Sequence, residues 1–61
     1  MVTDYDRTHM ADIIAGRDGT WFTAYLLRLI AKADSVNRER LRIIYPDAVA
    51  AYEDWRDNRE S

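Results

Sequence analysis

The chain contains no cysteine, a single proline and two glycines among its 61 residues. The absence of cysteine excludes disulfide bonds, thiolate metal ligands and thiol nucleophiles, so the fold depends on its apolar core alone. The scarcity of glycine and proline, together with 48% hydrophobic and 33% charged residues, is typical of a packed globule and not of a disordered tail. At this length we expect one small domain over residues 1–61.

Long apolar runs are also lacking. The longest, residues 24–33, is interrupted by Arg28 and Lys32 and is much shorter than the roughly 20 residues that span a bilayer. The first six residues include Asp4 and Asp6 and have no apolar segment of the kind found in secretory signals. We therefore expect a cytoplasmic protein that does not bind membranes. Its net charge of −2 exerts no overall attraction on nucleic acid.

Apolar residues recur at helical spacing throughout, and no stretch alternates as a half-buried strand would. We predict an all-α fold, a compact bundle of four short helices packed around an apolar second helix. The first helix is predicted to begin at a Thr3–Asp6 capping box and to end before Gly16. The others are predicted at residues 21–33 with Thr20 as N-cap, at residues 36–45 after Asp34 or Ser35, and from Pro46 onward, with residues 57–61 fraying.

The second helix is apolar around most of its circumference and is expected to be nearly surrounded by the rest of the molecule. Val36 and Ile43 of the third helix are also expected to be buried. Because seven aromatic side chains are many for four short helices to hide, we expect some of them in a surface patch for self-association or for a partner. The predicted core consists of Phe22, Leu26, Leu29, Ile30, Leu41, Ile44, Tyr52 and Trp55.

Charge is unevenly distributed along the chain. Residues 1–20 carry a net −2, residues 21–45 carry +3 and residues 46–61 carry −3. We expect the basic middle and the acidic ends to pair across the folded surface.

Two aromatic and two cationic residues share one stripe of the second helix. Such a stripe could stack bases and contact phosphates, or it could border the core with cationic stems lying over the rings. The candidate partner-binding residues are these four and three further residues of the third and fourth helices: Trp21, Tyr25, Arg28, Lys32, Arg38, Arg42 and Trp55.

Residues suited to catalysis or metal binding are few. His9 is the only histidine, and without cysteine or a His/Glu pair at i, i+4 it cannot anchor a zinc site of the usual kind. Ser35 has no base near it in the sequence, and the chain has no glycine-rich phosphate loop. We therefore expect a non-enzymatic protein with no metal and no cofactor.

Residues 18–34 form a pattern of predicted helix starts, helical residues and helix ends. The pattern continues at Asn37, Arg40-Leu41-Arg42, Tyr45-Pro46, Val49-Ala50-Ala51-Tyr52 and Trp55. In this pattern the chain resembles small orphan proteins encoded by bacteriophages of actinobacteria. The resemblance covers about residues 18–55. It implies an accessory protein that is made in the cytoplasm of the infected bacterium, binds a host protein and alters or blocks it. It carries no functional residues across to this chain.

Three functions are compatible with these observations. The first is a non-enzymatic protein-interaction module that binds and modulates a host bacterial protein. Such a module can also form a homodimer through aromatic side chains that the core does not bury. The second is a small DNA-binding or regulatory protein that uses the basic residues Arg28, Lys32, Arg38, Arg40 and Arg42, against which the acidic total counts. The third is a structural or assembly component of a virion, which would form higher oligomers.

Overall fold

A computed structural model describes the backbone of residues 1–60 and the side chains of residues 1–59. Over this part of the chain all regular structure is helical, which confirms the predicted all-α class. The number of helices is five and not four, because the first predicted helix is divided in two. The helices are α1 (Asp4–Thr8), α2 (Met10–Ile14), α3 (Phe22–Lys32), α4 (Ser35–Ile44) and α5 (Pro46–Glu60).

The division falls at His9, whose backbone leaves helical geometry with φ −105° and ψ 21°. The His9 ring stacks on the Tyr5 ring with a centroid separation of 3.9 Å, and its Nδ1 lies 3.0 Å from the Tyr5 carbonyl oxygen. The backbone N–H of His9 donates to the same carbonyl at 2.9 Å. The chain therefore bends between α1 and α2 while this carbonyl keeps its hydrogen bond.

Several predicted helix ends are found in the structure. Thr3 and Asp6 form the predicted capping box, with 3.2 Å from the Asp6 N–H to Thr3 Oγ1 and 3.0 Å from the Thr3 N–H to Asp6 Oδ2. Gly16 follows α2 with φ +81°, a conformation that glycine adopts without steric cost. The Asp34 carboxylate caps α4 by accepting from the Asn37 N–H at 2.8 Å, and Pro46 is the first residue of α5.

The predicted bounds of α3 and α4, residues 21–33 and 36–45, differ from the observed ones by one residue at each end, and two further features of the helix ends are wrong. The N-cap of α3 is Trp21 and not Thr20, and no side chain caps this helix. The Trp21 indole N–H donates to Asp6 Oδ1 at 2.8 Å, so the N-cap residue of α3 is joined to α1. At the other end of the chain α5 continues to Glu60, so residues 57–60 are helical where fraying was predicted. Ser61 lies outside the described residues.

Three helices supply the fully buried core. The helix α3 packs against both α2 and α5, and α4 packs against α5 from outside without contributing a fully buried residue. The core is therefore centred on the α3–α5 contact. Its residues are Met10, Ile13, Ala24, Leu26, Leu27, Ile30, Ala48, Val49, Ala51 and Tyr52.

The predicted core is only partly correct. Leu26, Ile30 and Tyr52 are buried, and Leu41 and Trp55 are half-buried against the core. Five residues predicted to be buried are instead exposed: Phe22 (63%), Leu29 (54%), Val36 (59%), Ile43 (82%) and Ile44 (67%).

The errors at Phe22 and Leu29 arise because α3 has apolar side chains on two opposite faces, and those at Val36, Ile43 and Ile44 arise because α4 contributes no fully buried residue. The face that includes Thr23, Ala24 and Leu27 packs against α2 and α5, since small side chains let the helix backbones approach closely. The opposite face, with Phe22 and Leu29, has no helix over it. The prediction that α3 is nearly surrounded is therefore wrong.

Candidate functional site

A ridge of apolar side chains stands on the exposed face of α3. Phe22, Tyr25 and Leu29 follow one another at i, i+3 and i+7, a spacing that aligns side chains along one side of a helix. Each of the three is more than half exposed. The Phe22 ring also contacts the Tyr45 ring, with centroids 6.1 Å apart, so the ridge is continuous with the end of α4.

Beside this ridge the surface between α3 and α4 contains two adjoining depressions of about 280 and 430 Å³, which share Leu29 and Leu41. We call this continuous surface the α3–α4 groove. The smaller depression is lined by Phe22, Tyr25, Leu26, Leu29, Leu41 and Tyr45. The larger is lined by Leu29, Lys32, Ala33, Asp34, Asn37, Arg40, Leu41 and Ile44.

Charged side chains border the α3–α4 groove on one side. Lys32, Asp34 and Arg40 line the larger depression, and neither of the two cations has an ion pair within residues 1–59. Asp47 lines a separate depression of about 130 Å³, which shares Ile44 with the larger depression and Tyr45 with the smaller one. The groove is thus lined mainly by apolar side chains, with its charged groups along the larger depression.

Of the seven predicted partner-binding residues, Tyr25 and Lys32 line this groove. Arg28 has a structural role: its Nε donates to the Ile13 carbonyl and its Nη2 to the Asp18 carbonyl, both at 2.6 Å. Arg28 thereby satisfies carbonyl groups at the end of α2 and in the following turn. Its guanidinium also lies 5.1 Å from the centre of the Tyr25 ring, an arrangement in which the cation covers one side of the aromatic side chain.

Arg38 is also engaged within the molecule. Its Nη2 donates to the Ala33 carbonyl at 2.9 Å, and its guanidinium lies 5.4 Å from the centre of the Tyr52 ring. These contacts place Arg38 between the end of α3 and the buried side of α5. The side chain therefore joins helices and does not line the α3–α4 groove.

Arg42 connects α4 to α5. Its Nη2 lies 2.8 Å from Glu39 Oε2 and 2.7 Å from Glu53 Oε2. The hydrogen bonds from Arg42 hold the pKa of both carboxyls below the ordinary value, because they favour the charged form. This pair confirms, at one position, the predicted pairing of the basic middle with the acidic end.

The two tryptophans lie elsewhere on the molecule. The Trp21 indole binds Asp6, and its ring meets the Tyr5 ring edge-on at 5.7 Å. Trp55 is half-buried, with the Arg59 guanidinium 4.6 Å from its ring centre. It lines a depression of about 380 Å³ between the N-terminal helices and α5, which shares no lining residue with the α3–α4 groove. The predicted candidates therefore do not form one site.

The main residues of the groove were assigned to the core by sequence reasoning. A signal that could have revealed the groove was present, because Phe22, Tyr25 and Leu29 form a second apolar stripe on the face of α3 opposite Leu27. The residues of the groove missed as site residues are Phe22, Leu26, Leu29, Leu41, Ile44 and Tyr45.

Within the described residues, no group of three or more His, Asp or Glu side chains is placed to hold a metal ion. None of the five helices combines the length and the apolar character that crossing a membrane requires. No protein-family model, curated protein or solved structure matches the chain. A functional proposal therefore depends on the geometry and charge of the surface.

Proposed function

We propose that this chain is a protein-interaction module that binds a partner protein through the α3–α4 groove. The observation that carries the proposal is the side-by-side exposure of Phe22, Tyr25, Leu29 and Ile44. Aromatic side chains offer roughly 150–250 Å² each and the two aliphatic ones somewhat less, so at these exposures the four leave on the order of 400 Å² of mostly apolar surface in water. A contiguous patch of this extent, rimmed by polar groups, is typical of a binding surface.

The anchoring of the groove to the rest of the molecule supports the same function. Leu26 in its floor is buried in the core, and Leu41 packs against the core from α4. Arg38 joins α4 to the end of α3 at the Ala33 carbonyl, and Arg42 joins α4 to α5 at Glu53. A surface that is ordered before binding loses less conformational entropy when the partner docks.

The resemblance to phage accessory proteins extends this proposal to the partner. On that basis the partner is a protein of the bacterial host cell, and binding alters or blocks its activity. The apolar character of the groove favours an apolar surface or an amphipathic helix on the partner, with acidic groups placed to meet Lys32 and Arg40.

The DNA-binding alternative has less support. Of its five basic residues, Arg28, Arg38 and Arg42 donate hydrogen bonds to groups within the chain. Lys32 and Arg40 remain available for phosphate groups, and two contacts give little of the electrostatic affinity on which nucleic-acid binding depends.

The proposal can be tested by affinity capture from an actinobacterial lysate at low and high salt, with bound protein and nucleic acid both identified. The informative variant is Ile44→Glu, which places a charge in the groove. Its matched control is Ile43→Glu on the same helix, because Ile43 is even more exposed and lines neither depression of the groove.

We expect one stoichiometric protein that is retained at high salt by the natural chain and by Ile43→Glu and is lost with Ile44→Glu. Capture of nucleic acid alone, released by salt, would contradict the proposal and favour the DNA-binding alternative. Equal capture by both variants would place the binding surface outside the groove.

A further inference from the structure

Two adjoining depressions, of about 380 and 280 Å³, lie between the N-terminal helices and α5 and share Trp55 and Arg59. We call them together the Trp55 cleft, and we infer that it binds an acidic, amphipathic segment of a partner protein. The cleft shares no lining residue with the α3–α4 groove. The inference therefore adds a second binding surface and does not depend on the proposed function.

The walls of the Trp55 cleft are two helical segments, and α3 packs against both of them. Met10 and Ile14 line it from the N-terminal side, and Ala51, Trp55 and Arg59 line it from α5 at i, i+4 and i+8. Met10 and Ala51 belong to the buried core, and Ile14 packs against that core, so the floor is apolar. Residues 51–59 extend about 12 Å along the axis of α5, a length that matches about two turns of a partner helix.

The charges that line the cleft are mostly of one sign. Within residues 1–59 the charged lining side chains are the arginines Arg7, Arg17 and Arg59 and a single acid, Asp54. The cleft thus contains three of the nine basic residues of the chain and one of its eleven acidic residues. Because the chain as a whole is acidic, this local excess of positive charge is complementary to an acidic partner.

The three arginines are available to such a partner. Arg7 and Arg59 have no ion pair within residues 1–59. Arg17 forms an ion pair with Asp12 at 3.1 Å, but the two side chains are 69% and 50% exposed. An exposed pair of this kind contributes little free energy, so a carboxylate of the partner can replace Asp12.

The neighbouring acids of α5 do not cancel this charge within the cleft. Glu53 binds Arg42, and Asp57 binds Arg56. Neither Glu53 nor Asp57 lines either depression. The ion pairs of α5 with α4 and within α5 are therefore separate from the arginines of the cleft.

Trp55 gives the cleft a fixed aromatic wall. Its ring meets the ring of the buried Tyr52 with centroids 6.0 Å apart, and the Arg59 guanidinium lies 4.6 Å from the centre of the Trp55 ring. Tryptophan and arginine are the residue types that most often dominate the energy of protein interfaces. Three cations are few for a nucleic acid, whereas an apolar floor beside them suits the apolar face of a peptide.

The probe for this inference is a fluorescein-labelled peptide of about 12 residues, with leucine and phenylalanine on one helical face and glutamate on the other. Fluorescence anisotropy measures its binding to the purified chain. We expect Arg7→Glu and Arg59→Glu each to weaken binding about five- to tenfold. The matched control, Arg40→Glu, makes the same change of charge outside the cleft and should weaken binding less than about twofold. Circular dichroism spectra that match the natural chain show that the variants fold.

A second measurement locates the peptide on the surface. The indole N–H groups of the two tryptophans give separate signals in a heteronuclear NMR spectrum. The Trp55 signal should shift as the peptide is added, and the Trp21 signal should not, because the Trp21 indole binds Asp6 away from the cleft. A general electrostatic attraction would not shift the Trp55 signal selectively.

Three outcomes overturn the inference. They are the absence of binding at about 1 mM peptide, equal weakening by Arg40→Glu and Arg59→Glu, and equal or tighter binding of a version of the peptide with lysine in place of glutamate or of a single-stranded oligothymidylate. Binding that is lost with Ile44→Glu and retained by Arg59→Glu would place the peptide in the α3–α4 groove. That result would also overturn the inference but would leave the proposed function in place.

Discussion

Asp6 is the most heavily used polar side chain of the N-terminal segment. One carboxylate oxygen accepts from the Thr3 N–H and the other from the Trp21 indole N–H, and the residue is 2% exposed. Burial raises the pKa of Asp6, but the hydrogen bonds from Thr3 and Trp21 outweigh it and leave the pKa below the ordinary 3.8. Asp6 thus fastens the start of α1 to the residue that precedes α3.

Replacement of Asp6 by asparagine should destabilise the fold by about 1–3 kcal/mol at neutral pH, because an amide has one acceptor oxygen for two donors. Urea denaturation measures the change. The matched control is Asp4→Asn in the same turn, which is exposed and should cost less than about 1 kcal/mol. Equal effects of the two variants would show that the Asp6 hydrogen bonds contribute nothing specific.

The same carboxylate makes stability depend on pH. Because the pKa of Asp6 is lower in the folded than in the unfolded protein, its contribution is complete above the unfolded value and is lost as the pH falls through the folded value. Stability should therefore fall below pH about 4, and the fall should be shallower in Asp6→Asn. Glu39 and Glu53, whose pKa values Arg42 holds low, account for part of the remaining loss.

Glycine is required at position 19 for two reasons. Its φ of +112° is a conformation that residues with a side chain rarely adopt, and a Cβ atom built there would lie 2.5 Å from the Cβ of Ala24, a buried core residue. Gly16 also has a positive φ, of +81°, but nothing lies within 4 Å of a Cβ at that position.

The two glycines therefore form a matched pair for substitution. Gly16→Ala should cost about 1–2 kcal/mol from backbone strain alone, and Gly19→Ala should cost clearly more because the turn or α3 must also shift. Thermal unfolding followed by circular dichroism compares the variants. A Gly19→Ala variant as stable as Gly16→Ala would mean that the turn before α3 adjusts freely.

At the scale of the helix, α3 combines two apolar faces with opposite roles. Leu27 on one face is fully buried, and Leu29 on the other is 54% exposed. Leu27→Ala should cost about 2–5 kcal/mol because it leaves a cavity in the core, and Leu29→Ala should cost less than about 1 kcal/mol. Chemical denaturation of the two variants measures the difference.

This pair of leucines is a direct test of the helix orientation. The sequence-based core contains Leu29, whereas the structure places Leu27 there. If Leu29→Ala proved the more destabilising substitution, α3 would be rotated about its axis from the orientation described above. The depression between α3 and α4 would then lose its apolar ridge, and the proposed function would lose its main support.

At the scale of the molecule, folding and partner binding should be coupled. A protein that binds only the folded chain through the groove stabilises it by mass action. A captured partner at a free concentration of about 100 times its dissociation constant should raise the free energy of unfolding by about 2.7 kcal/mol. Differential scanning calorimetry measures the resulting rise in Tm, which Ile44→Glu should abolish and Ile43→Glu should retain.

Much of the local structure could be predicted from the sequence. The capping box at Thr3, the glycine after α2, the cap at Asp34 and the start of α5 at Pro46 are contacts between residues close in the chain, so their signals are local. The break at His9 and the displaced start of α3 were missed. At the start of α3 the N-cap residue Trp21 is hydrogen-bonded to Asp6, a contact across 15 residues that no local pattern reveals.

The candidate site was harder to predict for a related reason. Periodicity shows that Phe22, Leu29 and Ile44 are apolar and share helix faces with other apolar residues, but it does not show which face a neighbouring helix covers. The basic residues present the same difficulty, since Arg28 and Arg38 bind carbonyl groups that only the folded chain brings near.

The sequence by itself determined the all-α class, most helix boundaries and the lack of cysteine chemistry, because composition, capping and periodicity act over a few residues. Only the tertiary structure decided which apolar face of α3 is buried, and hence where the exposed groove lies. The physical reason is that α3 has apolar side chains on both faces while α2 and α5 cover just one. The face with Ala24 and Leu27 allows the closer approach, and Phe22, Tyr25 and Leu29 remain in solvent, available to a partner.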